Sequence, residues 1–330
     1  MNTFGRLFRV NIFGESHGES VGVNIDGCPA GLSLPLEDFL PDLERRKGGM
    51  QKGTTPRKED DLPIFKSGLF NNTSTGSPIT ILFENNNTRS GDYEKQRAVP
   101  RPGHADFVAH KKFGGFEDYR GGGPFSARLT VGLVAAGVIA KKMLDTARVV
   151  STILEIGGES DLDKGLQKAI DAKDSIGGII ECRVSGLPVG LGEPFWDSVE
   201  SLIAHAIFAI PAVRGVEFGT GFAAARMFGS EHNDAIEDME GHTRTNHAGG
   251  VVGGITNGNE LVFRLAIKPT SSTPKEQQTL NWETEQLERF SVKGRHDLCV
   301  ALRAPVIVEA VTAIVLADLL LLEQRVGRII

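Results

Sequence analysis

Residues 27–32 read GCPAGL and residues 186–191 read GLPVGL, so the chain carries one pattern of glycine and proline twice. In each copy a strand-like segment precedes the motif, a proline (Pro35 or Pro194) follows its last glycine by four residues, and a helix-like segment comes next. The repetition predicts a strand–turn–helix unit that is used twice, and hence two similar halves. A chance match is the alternative, because glycine and proline are common in turns.

Working outward from the two motifs, apolar spacing and glycine or proline punctuation predict six strands and six helices. The predicted strands are residues 7–13, 21–25, 78–83, 179–184, 251–256 and 261–267. The predicted helices are residues 36–47, 105–113, 126–146, 162–173, 196–209 and 306–324. Strands and helices do not alternate as in a doubly wound sheet, so we favour an α+β fold in which helices pack against antiparallel sheets. We expect a single domain, residues 1–330, with approximate halves 1–150 and 151–330.

The composition is that of a globular protein with an unusual share of glycine. Hydrophobic residues make up 40% and charged residues 24%, and the net charge of −6 argues against a nucleic-acid partner. Cys28, Cys182 and Cys299 lack the spacing of a zinc site or a disulfide framework and fit a reducing cytoplasmic interior. The 40 glycines cluster beside polar residues. Loops that close on a phosphorylated ligand have this composition, and so does a loop-rich fold with many tight turns.

Neither a signal peptide nor a membrane partner is expected. The N-terminal residues lack a long apolar segment with a small-residue cleavage site. Two apolar stretches, 129–144 and 305–322, fall short of about 18 uninterrupted apolar residues. The second contains Glu309, Thr312 and Asp318. Both stretches are therefore expected to be buried helices.

Two histidines lie in glycine-rich turns and are natural acids or bases near neutral pH. His17 lies in GESHG beside Ser16, and His104 lies in RPGHADF. A lone histidine is more often structural, but two in such turns favour a functional role for at least one. His104 and His110 are six residues apart, and the chain has no H-E-x-x-H pattern, so no metal site is predicted.

Five further segments combine glycine, hydroxyl groups or positive charge, as a phosphate-binding site requires. They are RRKGGMQKGTTPRKE (45–59), DYRGGGPFSARLT (118–130), TNHAGGVVGGITNG (245–258), KPTSS (268–272) and KGRHDLC (293–299). The second opens onto a helix start, where backbone N–H groups can bind an anion. Taken singly, each segment is equally compatible with a connector, a solvated turn or a helix start.

Taken together and in order, GESHG, GCPAG, RPGHAD, TNHAGG, KPTSS and GRHD resemble the chorismate synthase family over nearly the whole chain. The resemblance implies a β-α-β sandwich of two similar halves, assembled as a homotetramer. It implies a carbon–oxygen lyase of the shikimate pathway of aromatic amino-acid biosynthesis. Such an enzyme converts 5-enolpyruvylshikimate 3-phosphate into chorismate and phosphate by a 1,4-anti elimination, and it requires reduced FMN without net redox change. Family members with a built-in flavin reductase carry insertions that this chain lacks, so an external reductase using NADPH is expected.

The resemblance also implies roles for individual residues. His17 would protonate the departing phosphate, and Ser16 would help to relay protons. His104 would stabilise or protonate the reduced flavin, and Asp297 would assist proton traffic at flavin N5. The substrate anions would be bound by Arg46, Lys52, Arg101, Arg128 and Arg295. FMN would lie along Pro124, Phe125, Ser126, Ala212, Gly253, Lys268, Pro269, Thr270, Ser271, Ser272 and Arg295.

The chain departs from the common family pattern at its glycine-rich turn, which reads GGGPFSARLT where many members read GGGRSSARET. Pro124 removes a backbone N–H there. Lys52 stands where arginine is usual, and Leu298 stands where proline is common. Two other functions are compatible with these segments: a flavin oxidoreductase with net electron transfer, and a non-catalytic protein that binds a phosphorylated ligand.

Overall fold

Two antiparallel sheets form the outer layers of the fold. The computed structural model describes residues 2–49, 51–88, 97–292 and 296–325. The strands are β1 (Thr3–Phe4), β2 (Arg9–Gly14), β3 (Ser20–Asp26), β4 (Ile64–Ser67), β5 (Leu69–Phe70), β6 (Thr73–Ser74), β7 (Ile79–Glu84), β8 (Arg148–Ile156), β9 (Gly178–Ser185), β10 (Val213–Phe218), β11 (Val251–Val252), β12 (Ile255–Thr256), β13 (Leu261–Ile267), β14 (Gln277–Asn281) and β15 (Gln286–Phe290). The first sheet has the order β1-β2-β3-β7-β4 and the second β10-β13-β9-β8, while β5–β6, β11–β12 and β14–β15 are separate hairpins.

The described residues also form helices, two of which occupy the space between the sheets. The helices are α1 (Leu40–Arg46), α2 (Asp106–Phe113), α3 (Thr130–Met143), α4 (Leu162–Ala172), α5 (Val199–Ile207), α6 (Gly229–His232) and α7 (Ala304–Arg325). α3 packs on the first sheet, α7 packs on the second, and the two helices pack on each other. A helix that is apolar on most sides must be buried on most sides, and both helices are. The predicted α+β sandwich is confirmed.

Of the described helices, α7 alone is long and apolar enough to cross a membrane, over residues 304–324, by length and composition only. Within the fold, 78% of its apolar window is buried. Its polar side chains have partners inside the protein. Glu309 accepts hydrogen bonds from Arg45 at 2.7 Å and Lys141 at 3.0 Å, and Asp318 accepts three from backbone N–H groups that precede β2. The expected buried helix is confirmed here.

Glycines allow α3 to approach its neighbours closely. Gly137 lies against Ala310 of α7, and a methyl carbon at position 137 would be 2.3 Å from the Ala310 Cβ. Gly132, five residues earlier, faces the first sheet, where a methyl carbon would lie 3.1 Å from the Gly22 carbonyl oxygen. The two contacts hold α3 between the sheet and α7.

The two copies of the glycine–proline motif form the same turn. They follow β3 and β9, and their first glycines, Gly27 and Gly186, have φ angles of 85° and 76°. The Ser74 hydroxyl accepts from a backbone N–H at the end of the first motif at 2.9 Å and donates to the carbonyl of its proline at 2.6 Å. Thr256 makes the same two hydrogen bonds with the second motif, at 2.9 and 2.7 Å.

The strand orders of the two sheets also correspond. β2-β3-β7-β4 matches β8-β9-β13-β10, and the packed helix of each set, α3 or α7, follows its last strand along the chain. We propose that the chain is one domain of two similar halves, which join between α3 and β8, close to residue 150.

Several elements differ from the predicted ones. Residues 251–256 were expected to be one strand but form the β11–β12 hairpin, because Gly253 and Gly254 have φ angles of 63° and 90° and turn the chain. The predicted helices 36–47 and 126–146 each begin with a separate 3₁₀ turn. β8 was not predicted, and its hydrophobicity does not follow its burial: Val150 is exposed while Ser151 is buried.

We expect Gly137→Ala to destabilise the fold. Alanine improves helix propensity by about 1 kcal/mol, but overpacking a core contact costs about 1–3 kcal/mol, so a net loss of unfolding free energy is expected. Ala310→Gly in the same variant should not restore the loss, because the new methyl carbon would still lie 2.4 Å from the Ala310 Cα and the second glycine lowers helix propensity. Denaturant unfolding measures both effects, and a Gly137→Ala variant as stable as the wild type would contradict the packing described.

Candidate active site

A cleft with a volume of about 530 Å³ lies where loops of the first and second parts of the chain meet. Among the described residues, eight lysines or arginines and three acidic residues line it. The cations are Arg46, Lys47, Arg57, Arg101, Arg128, Arg214, Lys268 and Arg303, and the acids are Glu59, Asp61 and Asp297. Because the whole chain carries a net charge of −6, positive charge is concentrated in this cleft, as a ligand with several negative charges requires.

The two histidines of the sequence motifs lie over neighbouring glycines. His17 follows β2, and His104 precedes α2. A methyl carbon on Gly121 would lie 2.3 Å from the His17 ring, and one on Gly122 would lie 3.1 Å from the His104 ring. Both glycines have positive φ, 60° and 83°. The glycine-rich turn therefore brings the imidazoles to one place, which larger residues would prevent.

An arginine that the sequence analysis did not single out holds Ser16. Arg57 donates to the Ser16 hydroxyl at 3.1 Å and to the Ser16 carbonyl at 3.3 Å. Glu59 accepts from Arg57 Nε and Nη2 at 2.9 and 2.7 Å and from the backbone N–H of Asn86 at 3.0 Å. Ser16 is buried. Its hydroxyl is therefore fixed next to His17 by a paired guanidinium.

His17 is neutral at pH 7 in the free protein. Burial lowers the pKa of its imidazole below the ordinary 6.5, and the charges of Arg57 and Arg120 lower it further. Asp118 and Glu59 act in the opposite direction and do not offset these effects. A dianionic phosphate group in the cleft would reverse the balance, because a nearby negative charge favours the protonated imidazole.

His104 is oriented by an acid–arginine pair. Its Nδ1 lies 2.5 Å from Asp106 Oδ1, so a proton on Nδ1 leaves Nε2 over the glycine-rich turn. Arg101 donates to both oxygens of the same carboxylate at 2.8 Å. Burial alone would raise the pKa of Asp106, but hydrogen bonds from Arg101 and His104 bring it well below its usual range. Asp106 therefore remains a carboxylate that holds the imidazole in one tautomer.

The KPTSS segment follows β13 and joins the cleft at the RPGHAD turn. Lys268 donates to the Gly103 carbonyl at 2.9 Å and to the Ser271 hydroxyl at 2.8 Å, and Ser272 accepts from Arg101 at 3.2 Å. Burial, with a contribution from Arg214, lowers the pKa of Lys268. Hydroxyl groups and an ammonium group that converge in this way form a set of donors for an anion.

A buried ion-pair network lies deeper in the cleft. Asp61 accepts from Arg46 at 2.6 Å and also pairs with Arg128. Asp297 accepts from Arg303 Nη2 at 2.5 Å and from the backbone N–H of Thr55 at 2.8 Å. Burial alone would raise the pKa of Asp61, but Arg46 and Arg128 bring it below its usual range. The carboxylate is charged at neutral pH.

The family model for chorismate synthase matches residues 8–321. The chorismate synthase of Chitinophaga pinensis is 72% identical over 330 residues, which cover all of this chain and 99% of that protein. The enzyme of Dehalococcoides mccartyi is 44% identical, with coverage of 100% and 99%. A crystal structure of a chorismate synthase superposes with a TM-score of 0.74 at 27% identity, covering 97% of this chain and 93% of that one.

The chain belongs to the chorismate synthase family. The resemblance inferred from the sequence motifs is thereby confirmed, and so is the expected class of enzyme, a lyase of the shikimate pathway. Among the described residues, no group of three or more His, Cys, Asp or Glu side chains is placed to hold a metal ion.

Most of the residues predicted for this chorismate synthase site lie together. Those that line the cleft are Ser16, His17, Arg46, Arg101, His104, Pro124, Phe125, Ser126, Arg128, Ala212, Lys268, Pro269, Thr270, Ser271, Ser272 and Asp297. Lys52 and Gly253 are not among them. Lys52 is exposed and donates to Gln167 at 3.1 Å, and Gly253 lies at the β11–β12 turn. Arg295 is outside the described residues.

Four side chains at alternate positions of one segment line the cleft and were not singled out from the sequence. Thr55, Arg57, Glu59 and Asp61 line the cleft, whereas the residues between them are exposed. Such alternation is typical of an extended segment with one face buried. In TTPRKEDD the signal is hidden, because both faces carry charged residues and hydrophobicity does not distinguish them.

We expect Arg57→Met to raise the pKa of His17, because it removes a nearby positive charge. Titration of the His17 imidazole by NMR in the protein without ligands measures this directly. Lys58→Met is the matched control: it makes the same change at the next residue, whose side chain is exposed. A His17 pKa that Arg57→Met leaves unchanged, or that Lys58→Met raises equally, would contradict the role of Arg57.

Proposed function

We propose that this chain forms chorismate from 5-enolpyruvylshikimate 3-phosphate by eliminating phosphate, with reduced FMN bound in the same cleft. The observation that carries the proposal is the placement of His17 and His104 over adjacent glycines within a cationic cleft. A phosphate ester needs a proton donor and positive charge to leave. The flat ring of FMN next to the glycine-rich turn needs space, which side chains at positions 121 and 122 would fill.

The residues of the cleft fit FMN. Its apolar wall includes Pro124, Phe125, Ile210 and Ala212, while the KPTSS segment supplies an ammonium group and hydroxyls for a phosphate. The volume of the cleft lies within the range of about 300–1,000 Å³ typical of ligand sites. When bound, reduced FMN supplies an electron-rich ring that supports the loss of a hydrogen of low acidity from the substrate. His104, whose Nδ1 is fixed by Asp106, would face that ring with Nε2, the nitrogen through which it can accept and return a proton.

The substrate carries a phosphate and two carboxylates, and the cleft offers paired cations for them. Arg46, Arg101 and Arg128 are each at most 7% exposed, so anions that reach them meet little competing water. Guanidinium groups bind such anions through two parallel hydrogen bonds. Arg303 adds a further cation beside Arg46, to whose carbonyl it donates at 3.1 Å.

His17 would act as the general acid. A phosphate monoester has a second pKa of about 6, so the substrate arrives largely as a dianion and raises the pKa of the imidazole beside it. The protonated imidazole then gives its proton to the departing phosphate oxygen as the carbon–oxygen bond breaks. Ser16, held by Arg57, is placed to relay a proton between the imidazole and the ester.

We also propose that the chain assembles as a homotetramer in the cytoplasm and receives reduced FMN from an NADPH-dependent reductase. Its accessible surface is 16,957 Å², whereas a compact monomer of its mass exposes about 13,000 Å². Phe195, Trp196, Phe222, Phe228 and Met239 are each at least three-quarters exposed. The excess area and these apolar side chains are what subunit interfaces would cover.

An anaerobic assay tests the proposed reaction. The protein is mixed with photoreduced FMN and 5-enolpyruvylshikimate 3-phosphate, and chorismate and phosphate are followed together. We expect equal release of both, with FMN still reduced. Oxidation of one flavin for each substrate would indicate a flavin oxidoreductase. Tight binding without product would indicate a non-catalytic binding protein.

His17→Ala should lower kcat by about 10²–10⁴-fold, the usual contribution of a general acid. His242→Ala is the control, because His242 is exposed and pairs with Asp238 outside the cleft. The assay above gives both rates. If His17→Ala retained wild-type kcat, another group would have to protonate the phosphate.

A further inference from the structure

Asp61 occupies the centre of a buried arrangement of three charges. Its side chain is fully buried, and the side chains of Arg46 and Arg128 are 5% and 3% exposed. One carboxylate oxygen accepts from Arg46 Nη2 at 2.6 Å, and the other accepts from Arg128 Nη1. One acid thus faces two guanidinium groups, and one positive charge is left over for a ligand.

The two arginines are anchored to different degrees. All three guanidinium nitrogens of Arg128 donate to the protein: Nε to Asn85 at 2.8 Å, Nη2 to the Glu84 carbonyl at 3.0 Å, and Nη1 to Asp61. Apart from its contact with Asp61, Arg46 has one long hydrogen bond to Thr130 at 3.5 Å, and its buried Nε has no partner among the described groups. Of the two guanidinium groups, Arg46 therefore has more N–H donors available for a ligand.

The backbone at Asp61 supports this arrangement. Asp61 has φ of 50°, in the left-handed region that aspartate tolerates better than most residues. This conformation ends the alternating segment that begins at Thr55 and turns the carboxylate between the arginines. Asp60, the preceding residue, is exposed.

We propose that Asp61 is a positioning residue, which transfers the fixed orientation of Arg128 to Arg46 and so aims Arg46 at an anionic group of the substrate. Without the carboxylate the two guanidinium groups would repel each other at short range, and Arg46 would lose its strongest contact. The proposal rests on the proposed function only in naming 5-enolpyruvylshikimate 3-phosphate as the anion.

Calorimetric binding of 5-enolpyruvylshikimate 3-phosphate in the presence of oxidised FMN tests the proposal without turnover. Asp61→Asn keeps the shape but offers an N–H group to one arginine, so we expect Kd to rise about 30- to 100-fold, as when a buried charged partner is lost. Asp60→Asn, the same change on the exposed neighbour, should alter Kd less than about twofold. An unchanged Kd for folded Asp61→Asn would overturn the proposal.

A double-mutant cycle separates positioning from general structural support. If Asp61 acts through Arg46, adding Asp61→Asn to Arg46→Met should raise Kd by less than about threefold further, because the contact to be aimed is already gone. Full additivity of the two changes would overturn the proposal. Circular dichroism and thermal unfolding of each variant establish that the comparison is between folded proteins.

Asp61→Glu covers the case in which Asp61→Asn does not fold. It keeps the negative charge but moves the carboxylate by one methylene, so Arg46 should be displaced and Kd should rise about tenfold. A wild-type Kd for Asp61→Glu would show that position is unimportant and would overturn the proposal. The wild-type anaerobic assay tests the proposed function separately: binding without chorismate formation would reject that function and leave the comparison of Kd values intact.

Discussion

Guanidinium groups can remain buried in this protein only because carboxylates accompany them. Asp61 pairs with Arg46 and Arg128, and Asp106 pairs with Arg101. A buried charge without a partner costs far more than an exposed one, and a single acid that serves two arginines leaves the cleft positive. The same arrangement gives the cleft a net positive charge, because the buried arginines outnumber the carboxylates that pair with them. The cleft therefore favours the binding of an anion. Burial, together with the charges of Arg57 and Arg120, lowers the pKa of His17, and an anion bound nearby would raise it.

The fold forms the cleft between its two sheets, on each of which one of the two core helices packs. The glycine-rich turn leads into α3, and the segment with Asp297 and Arg303 leads into α7. Because these helices pack against each other through Gly137, their preceding loops meet at one place. The β2–β3 turn with His17 and the KPTSS segment after β13 complete the cleft from the two sheets. Packing in the core and chemistry in the cleft thus depend on the same pair of helices.

Sequence patterns predicted the parts of this structure whose position follows from the residues of a single short segment. His17, His104 and the KPTSS segment lie in turns with unusual residues, and the buried α7 follows from its length and apolarity. Patterns failed where burial depends on distant partners. Asp61 looks like a solvated charge in the sequence, yet it is buried because Arg46 and Arg128 reach it from other segments. β8 was missed for a related reason: it is an edge strand with exposed valine and buried serine, and hydrophobicity gives no clear period.

The most direct test of a neutral His17 in a cationic cleft is its titration with and without substrate. The imidazole signal, assigned with a His17→Gln variant, is followed by NMR against pH in protein labelled at histidine. The protein is titrated without ligands, with oxidised FMN, and with oxidised FMN and substrate together, so that no turnover occurs. We expect a pKa below 6.5 in the free protein and a clear rise when 5-enolpyruvylshikimate 3-phosphate binds. A pKa that stays the same or falls on binding would contradict the view that the charge of the substrate phosphate favours the protonated His17, which then donates its proton to the departing oxygen.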